Sequence, residues 1–336
     1  MARYIADQNK VLGLHESGTY AIPMAGSSFW MGQIQSHTIE DLENPLENRF
    51  LGTSTRSKDS TEKGPQDVTG TISYHPQDMR LIFCTIGSII DVSGTNSLHS
   101  VSQINSNVQQ SPFTSGTGQL NAPISFTIED SKQAPGTGRN FIRTIKGAVP
   151  NTVTLTATQG EKVVVELEYI GQSCTHSSGT TTAVTQNTTR PYLWSDCQIT
   201  LAGSVIDTIK EAVFEINQNR EAPHYLAGSR TAATPINGNR EYTVTLTTDL
   251  DADDADMLYG GLYKAGSEFN LTFNMNGDSI LGSKHATFYM SGCRIITMDN
   301  PSENEGLTES TIEIRPKDVT GSSWEAGIMS GLYNPY

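Results

Sequence analysis

Two stretches of this chain follow one plan. DVTGTISYHPQDMRLIFCTIGS (67–88) and REYTVTLTTDLDADDADMLYGGLYKAG (240–266) each run from apolar–polar alternation into a short helical pattern, with Ile72 falling on Leu246 and Asp78-Met79 on Asp256-Met257. The likeness extends both ways. Upstream, RFLGTSTR (49–56) parallels YLAGSRTA (225–232); downstream, ISFTIED (124–130) parallels FNLTFNM (269–275). Gly147 then meets Gly292, and VVELEYI (164–170) parallels TIEIRPK (311–317), with Glu166 on Glu313. The offset is near 175 before the helix and near 145 after it, and one polar insertion, residues 91–123, absorbs the difference. A single length change that keeps element order is the mark of a tandem duplication.

What is duplicated is a β domain. TVTLTAT (152–158), KVVVELEYI (162–170), YTVTLTTDL (242–250), EFNLTFNM (268–275) and STIEIRP (310–316) alternate with period two and are rich in Val, Ile, Tyr, Phe and Thr. That is the pattern of half-buried antiparallel strands. Helical patterns are few, the best being 75–88 and 251–266. The expected fold is therefore mainly β: two tandem antiparallel β-sandwich or barrel domains, each flanked by one short α-helix. The first spans 1–175, with an N-terminal arm and the insertion 91–123. A Ser/Thr-rich linker, 176–192, reads as an extended, solvated crossover. The second domain spans 193–336 and ends in a C-terminal arm.

The five aspartates of DLDADDAD (249–256) invite a calcium reading, since Asp249, Asp251 and Asp253 match the first ligand positions of a helical calcium loop. The loop then fails: Asp254 stands where the turn needs Gly, and Gly260 where the closing Glu belongs. The run is better read as a helix start, with Asp249 or Asp251 as N-cap and Asp253 and Asp254 in the first turn, where carboxylates meet orphan N–H groups and complement the helix dipole. In the first half, Pro76 and Asp78 hold the corresponding place.

Other chemistry is not indicated. The seven histidines show no HxH, HExxH or HxxxH spacing, and the four cysteines no CxxC, so no metal or cofactor is expected. There is no GxSxG elbow, and the lone GxG of PGTGRN (135–140) leads into a strand as a hairpin turn, not into a phosphate-binding helix. Glu166 and Glu168 share a solvated strand face. A net charge of −14, from 36 acidic against 22 basic residues, disfavours nucleic-acid and anionic-lipid binding. MARYIADQNK lacks an apolar signal core and no segment approaches a membrane span, so a chain folded in a cytoplasm, with reduced thiols, is expected.

Over residues 25–316, the succession of polar loop, strand, short helix and FTIED…GAVPNTVTLTATQGEKVVVELEYIG resembles the tail tube proteins of tailed bacteriophages and archaeal viruses. The most characteristic stretch is FEINQNREAPHYLAGSRTAATPINGNREYTVTLTTDL (214–250), a strand, a long loop and a strand. The resemblance implies a structural virion protein and no catalytic residue. Its rings would stack into a conduit for DNA ejection, and a duplicated chain would close a ring as a trimer with pseudo-sixfold symmetry. The implied partners are further copies of itself, a tape measure protein, and tail terminator and baseplate proteins. DNA would pass through the lumen without specific binding, and no membrane would be inserted. The protein would assemble in the host cytoplasm and reside in the virion tail. Within that frame, loop 52–66 with Arg56, Lys58 and Lys63, and loop 228–239 with Arg230, are the expected inter-ring contacts. The tail WEAGIMSGLYNPY (324–336), with Trp324, Tyr333 and Tyr336, is a third candidate contact, or else a strap over its own domain. Two other readings stay open: a trimeric baseplate hub or distal tail adaptor, and a β-sandwich module for carbohydrate or cell surfaces.

Overall fold

Alternation becomes strand wherever it is strongest. The computed structural model describes residues 9–16, 20–48, 60–91, 98–103, 125–134, 139–226, 228–249, 255–277, 284–299 and 309–325. In its first half lie β1 (Lys10–Glu16), β2 (Pro23–Phe29), β3 (Gln33–Glu43), β4 (Leu46–Asn48), β5 (Ser60–Glu62) and β6 (Gln66–His75). Helix α1 (Arg80–Ile86) follows, then β7 (Gly87–Asp91), β8 (Leu98–Gln103), β9 (Phe126–Ala134), β10 (Arg139–Thr158), β11 (Val164–Gly171) and β12 (Ser173–Ser177). The second half has β13 (Cys197–Leu201), β14 (Ser204–Val205), β15 (Ile209–Asn217), β16 (Glu241–Asp249) and a π-helical segment, α2 (Asp256–Lys264). It ends with β17 (Phe269–Asn276), β18 (Lys284–Asp299), β19 (Glu309–Arg315) and β20 (Asp318–Glu325). In β11 the pattern is plain: Val165, Leu167 and Tyr169 are buried, while Glu166 and Glu168 face solvent.

Three sheets share strands. The central one runs β3-β6-β11-β10-β15-β16-β19-β18. A first flanking sheet runs β2-β1-β9-β10-β12. The second runs β14-β13-β17-β18-β20-β8-β7. The long strands β10 and β18 each belong to two sheets and turn from one to the other at Gly147 and Gly292, whose φ values are +65° and +60°. All strands except the β4–β5 pair thus form one connected network, which is not a closed barrel. Among the described residues β3 pairs only with β6, and the last residues of β18 only with β19. Two separate tandem sandwiches were expected; one continuous sheet system is found, because β10 and β15 hydrogen-bond directly from Thr152↔Asn217 to Thr158↔Glu211.

The pairings nevertheless repeat, down to the irregularities. The bulge at Ile34/Ser36 in β3–β6 recurs at Ile209/Glu211 in β15–β16, 175 residues on. The bulge at Pro150/Thr152 in β10–β11 recurs at Ile295/Thr297 in β18–β19, 145 residues on. Bulges are built features of a strand pair, so their recurrence identifies β3 with β15 and β10 with β18. Leu167 faces Ile72 as Ile312 faces Leu246. By the same register Glu168, and not Glu166, corresponds to Glu313.

Three further segments add detail to what was expected. Helix α1 is shorter than 75–88, because the chain passes into β7 at Gly87. Within the insertion 91–123, residues 98–103 form β8, which joins second-half strand β20 through Gly321↔Val101 to Trp324↔Leu98. The expected linker begins inside β12; much of it is exposed, and it is also pinned at several points. Thr182 N and Oγ1 donate to Glu129 at 2.9 and 2.5 Å, Gln77 Nε2 donates to Asn187 O at 3.1 Å, and Tyr192 is fully buried. The buried side chains of both halves form one core, in which Phe83 of α1 meets Phe288 of β18 edge-on at 5.9 Å.

Candidate assembly interface

Equivalent strands differ in what covers them. On β15, Ala212, Phe214 and Ile216 are buried, since β10 lies on one side and β16 on the other. Their counterparts on β3 are His37, Ile39 and Asp41; there Ile39 is half-buried and Asp41 exposed. At the other end, Val153 of β10 is buried while its counterpart Met298 of β18 is half-buried, and Thr297 and Asp299 are exposed. An edge strand offers unpaired N–H and C=O groups as a template for another strand. The described chain therefore ends in two unlike edges, and the β10–β15 junction already joins strands of those two kinds.

The helices repeat the contrast. All seven residues of α1 are buried. It lies against β10 of its own half and against β20 of the other, and Gln218 Nε2 donates to Thr85 O at 2.6 Å across the same boundary. Of α2 only Leu258 is buried, and Tyr259 is 38% exposed. A helix between two halves is covered; its counterpart at the end of the chain is not.

The expected contact residues fall as follows. Lys63 Nζ meets Glu43 Oε1 and Oε2 at 3.0 Å each, and Arg230 Nη2 meets Glu43 Oε1 at 3.4 Å. These cations, with the hydrogen bond donated by Gln66 N to Arg230 O at 2.9 Å, tie loop 228–239 to the start of β6. Lys63, foremost, holds the Glu43 carboxyl below its usual range. Arg56 and Lys58 lie outside the described residues, as do Tyr333 and Tyr336. The backbone of Trp324 pairs with His285 and Leu98.

Within the acidic run, Asp249 is no helix cap. It is the last residue of β16, where its Oδ1 forms an ion pair with Lys210 Nζ at 2.7 Å. The helical segment starts later, with Ala255 at its N-cap, no side-chain cap bond, and Asp256 in its first turn; Asp251, Asp253 and Asp254 lie outside the described residues. In the first half Asp78 does cap, accepting from Arg80 N at 3.1 Å.

Reading the sequence missed one surface. Tyr225 (60% exposed), Leu226 (fully exposed) and Ile236 (56% exposed) project from the loop between β15 and β16. The signal was visible as the apolar pair in APHYLAG, set within an otherwise polar loop.

Among the described residues no three His, Cys, Asp or Glu side chains stand together as a metal site. No described helix is long and apolar enough to cross a membrane. The family model described as Phage tail tube protein matches residues 92–318, about two thirds of the chain. No curated protein matches.

Proposed function

The chain belongs to the phage tail tube protein family, and on that premise we propose how it builds a tube. It is a structural, non-catalytic protein of the tail. Our reading is that the chain comprises two tube units, 1–175 and 193–336, joined by the linker 176–192, and that three chains close a ring of six such units. The observation that carries this is the β10–β15 junction. Repeating it between chains adds β3 of one copy to the end of β18 of the next, a head-to-tail contact of the kind that closes into rings.

The two bulge correspondences convert this into a register. Thr152↔Asn217 becomes Thr297 opposite Leu42 of the next chain, and Val153↔Ile216 becomes Met298 opposite Asp41. The exposed α2 of one chain would then be covered by its neighbour, as α1 is covered within the chain. Rings would stack through the polar loops 52–66 and 228–239 and the adjoining residues 225–226, with Arg56, Lys58, Tyr225 and Leu226 as the reaching side chains. The C-terminal segment is a further contact. An acidic protein suits a lumen through which DNA slides without adhering. A tape measure protein within and terminator and baseplate proteins at the ends are the partners this role requires, in a virion tail assembled in the host cytoplasm.

Electron microscopy of the purified, assembled protein tests the reading. End-on averages with six lobes and a ring mass of three chains support it. Six chains per ring would keep the tube but overturn the three-chain closure. Isolated rings that never stack, at any concentration, would favour the hub or adaptor role.

A further inference from the structure

Beside the entrance to α1 lies a cavity of about 670 Å³, lined by Ser27–Trp30 of the β2 end, by Asp78 and Arg80, and by linker residues 183–188. Arg80 is 5% exposed, and its guanidinium carbon lies 4.7 Å over the Phe29 ring centre. Its Nη2 reaches Asp78 Oδ2 only at 3.5 Å, and its Nε and Nη1 are buried with no acceptor. Asn187 Nδ2, on the linker lining the same cavity, is also buried without an acceptor. Its orientation is fixed, because Asn187 Oδ1 accepts from Thr189 N and Thr189 Oγ1, both at 2.9 Å, and so cannot exchange places with the nitrogen.

The orphaned groups of Arg80 and Asn187 are all donors. Unsatisfied buried donors are costly, and a charged one most of all. Packing does not demand the charge: after the corresponding Asp-Met of the second half stands Leu258, fully buried. Asp78 does not serve as the missing acceptor: its carboxyl reaches the guanidinium only through Oδ2 and Nη2, at 3.5 Å, and meets neither Nε nor Nη1.

We propose that this cavity binds a carboxylate, which accepts hydrogen bonds from Arg80 and Asn187. The group comes either from a small free acid or from an acidic side chain of another copy of this chain. The inference does not depend on how rings close.

The test is thermal unfolding and calorimetric titration of the purified protein with sodium formate, against sodium chloride at equal ionic strength. The expected result is saturable heat and a melting temperature raised by a few degrees in formate alone. Arg80→Leu should weaken formate binding by about tenfold or more, as loss of a charge-assisted hydrogen bond does. Asn187→Ala, which leaves the helix intact, should weaken it less, and decides the matter if Arg80→Leu does not fold. Assembled tubes that still take up formate point to a free acid; formate that raises the concentration needed for assembly points to a neighbour's side chain. Equal melting in formate and chloride without saturable heat, or a formate response unchanged in both variants, overturns the proposal and leaves a hydrated cavity.

Discussion

Gly147 and Gly292, 145 positions apart, hold the same left-handed backbone at the same point of two long strands, with φ of +65° and +60°. Each lies where its strand leaves a flanking sheet for the central one, so each fixes the angle between two sheets. Their surroundings differ. A Cβ on Gly147 would lie 2.8 Å from Cζ of Tyr20, whose hydroxyl donates to Gly147 O at 3.1 Å. A Cβ on Gly292 would meet Lys317 Cβ at 3.0 Å.

Alanine at these two positions should therefore cost unequal amounts. Both variants carry the strain of a positive φ, about 1 kcal/mol or somewhat more. Gly147→Ala must also displace an aromatic ring, for a total of about 2–4 kcal/mol. Urea unfolding of the unassembled protein measures both, and an equal or reversed order would contradict this account of the bend.

Gln218 couples the halves. It is 1% exposed, donates to Thr85 O at 2.6 Å, and accepts from Arg240 Nε at 2.9 Å. Gln218→Ala removes both bonds at a buried position and deprives the Thr85 carbonyl of this donor, so a loss of about 1–3 kcal/mol is expected. Because the boundary between the halves is weakened, amide exchange in α1 should accelerate more than in β11; uniform acceleration would show that the halves do not open at this seam.

Acid should destabilise the fold before the carboxylates are neutralised. Burial, aided by the Arg80 charge, lowers His15 to about 3; burial lowers His37 to about 4, although Asp130 at 3.9 Å pulls the other way. Both folded values lie below the ordinary 6.5, so the unfolded chain binds protons that the folded chain refuses. Stability is then complete above about pH 6.5 and declines as pH falls toward 4, by up to about 1.4 kcal/mol per pH unit for each histidine. Denaturation midpoints between pH 7 and 4 should fall less steeply in His37→Gln than in the parent; identical slopes would remove His37 from this role.

Much of the repeat was legible because Gly, Pro and helix-start residues punctuate it: Gly147 on Gly292 and Ile72 on Leu246 both agree with the strand register. Where only alternation guided the eye, the alignment slipped by two. Glu166 was set on Glu313, while the ladders put Glu168 there, and Phe126 answers Phe269 where Ile124 was expected to. A period of two makes such a slip invisible, since each side chain keeps its face. The Asp249 cap failed for a related reason: DLDADDAD reads equally well as strand end or helix start, and Lys210 takes Asp249 for the strand. Least legible were contacts between distant segments. That β15 would pair with β10, that β8 would join the other half, and that Arg80 would be buried depend on tertiary packing, which no local pattern encodes.

The proposed junction has one unfavourable neighbour pair. In the register carried over from Thr154↔Glu215, Asp299 of one chain faces Glu40 of the next. Like charges directly opposite destabilise a strand pair. Asp299→Asn should therefore lower the concentration needed for assembly about two- to fivefold, an effect that shrinks in high salt. Light scattering across a protein dilution series measures it; weaker assembly would argue against this register.

The most direct measurement is a disulfide across the junction. Thr297→Cys combined with Leu42→Cys places two thiols opposite one another on adjacent strands, within bridging range if the register holds. The native thiols interfere little, since burial raises Cys84 and Cys197 to about 12 and Cys174 and Cys293 to about 11. After mild oxidation of assembled tubes, the account predicts reducible dimers and trimers on denaturing gels and no larger species, because three chains close the circle. A ladder running to six chains, or assembled tubes that do not cross-link at all, would contradict it.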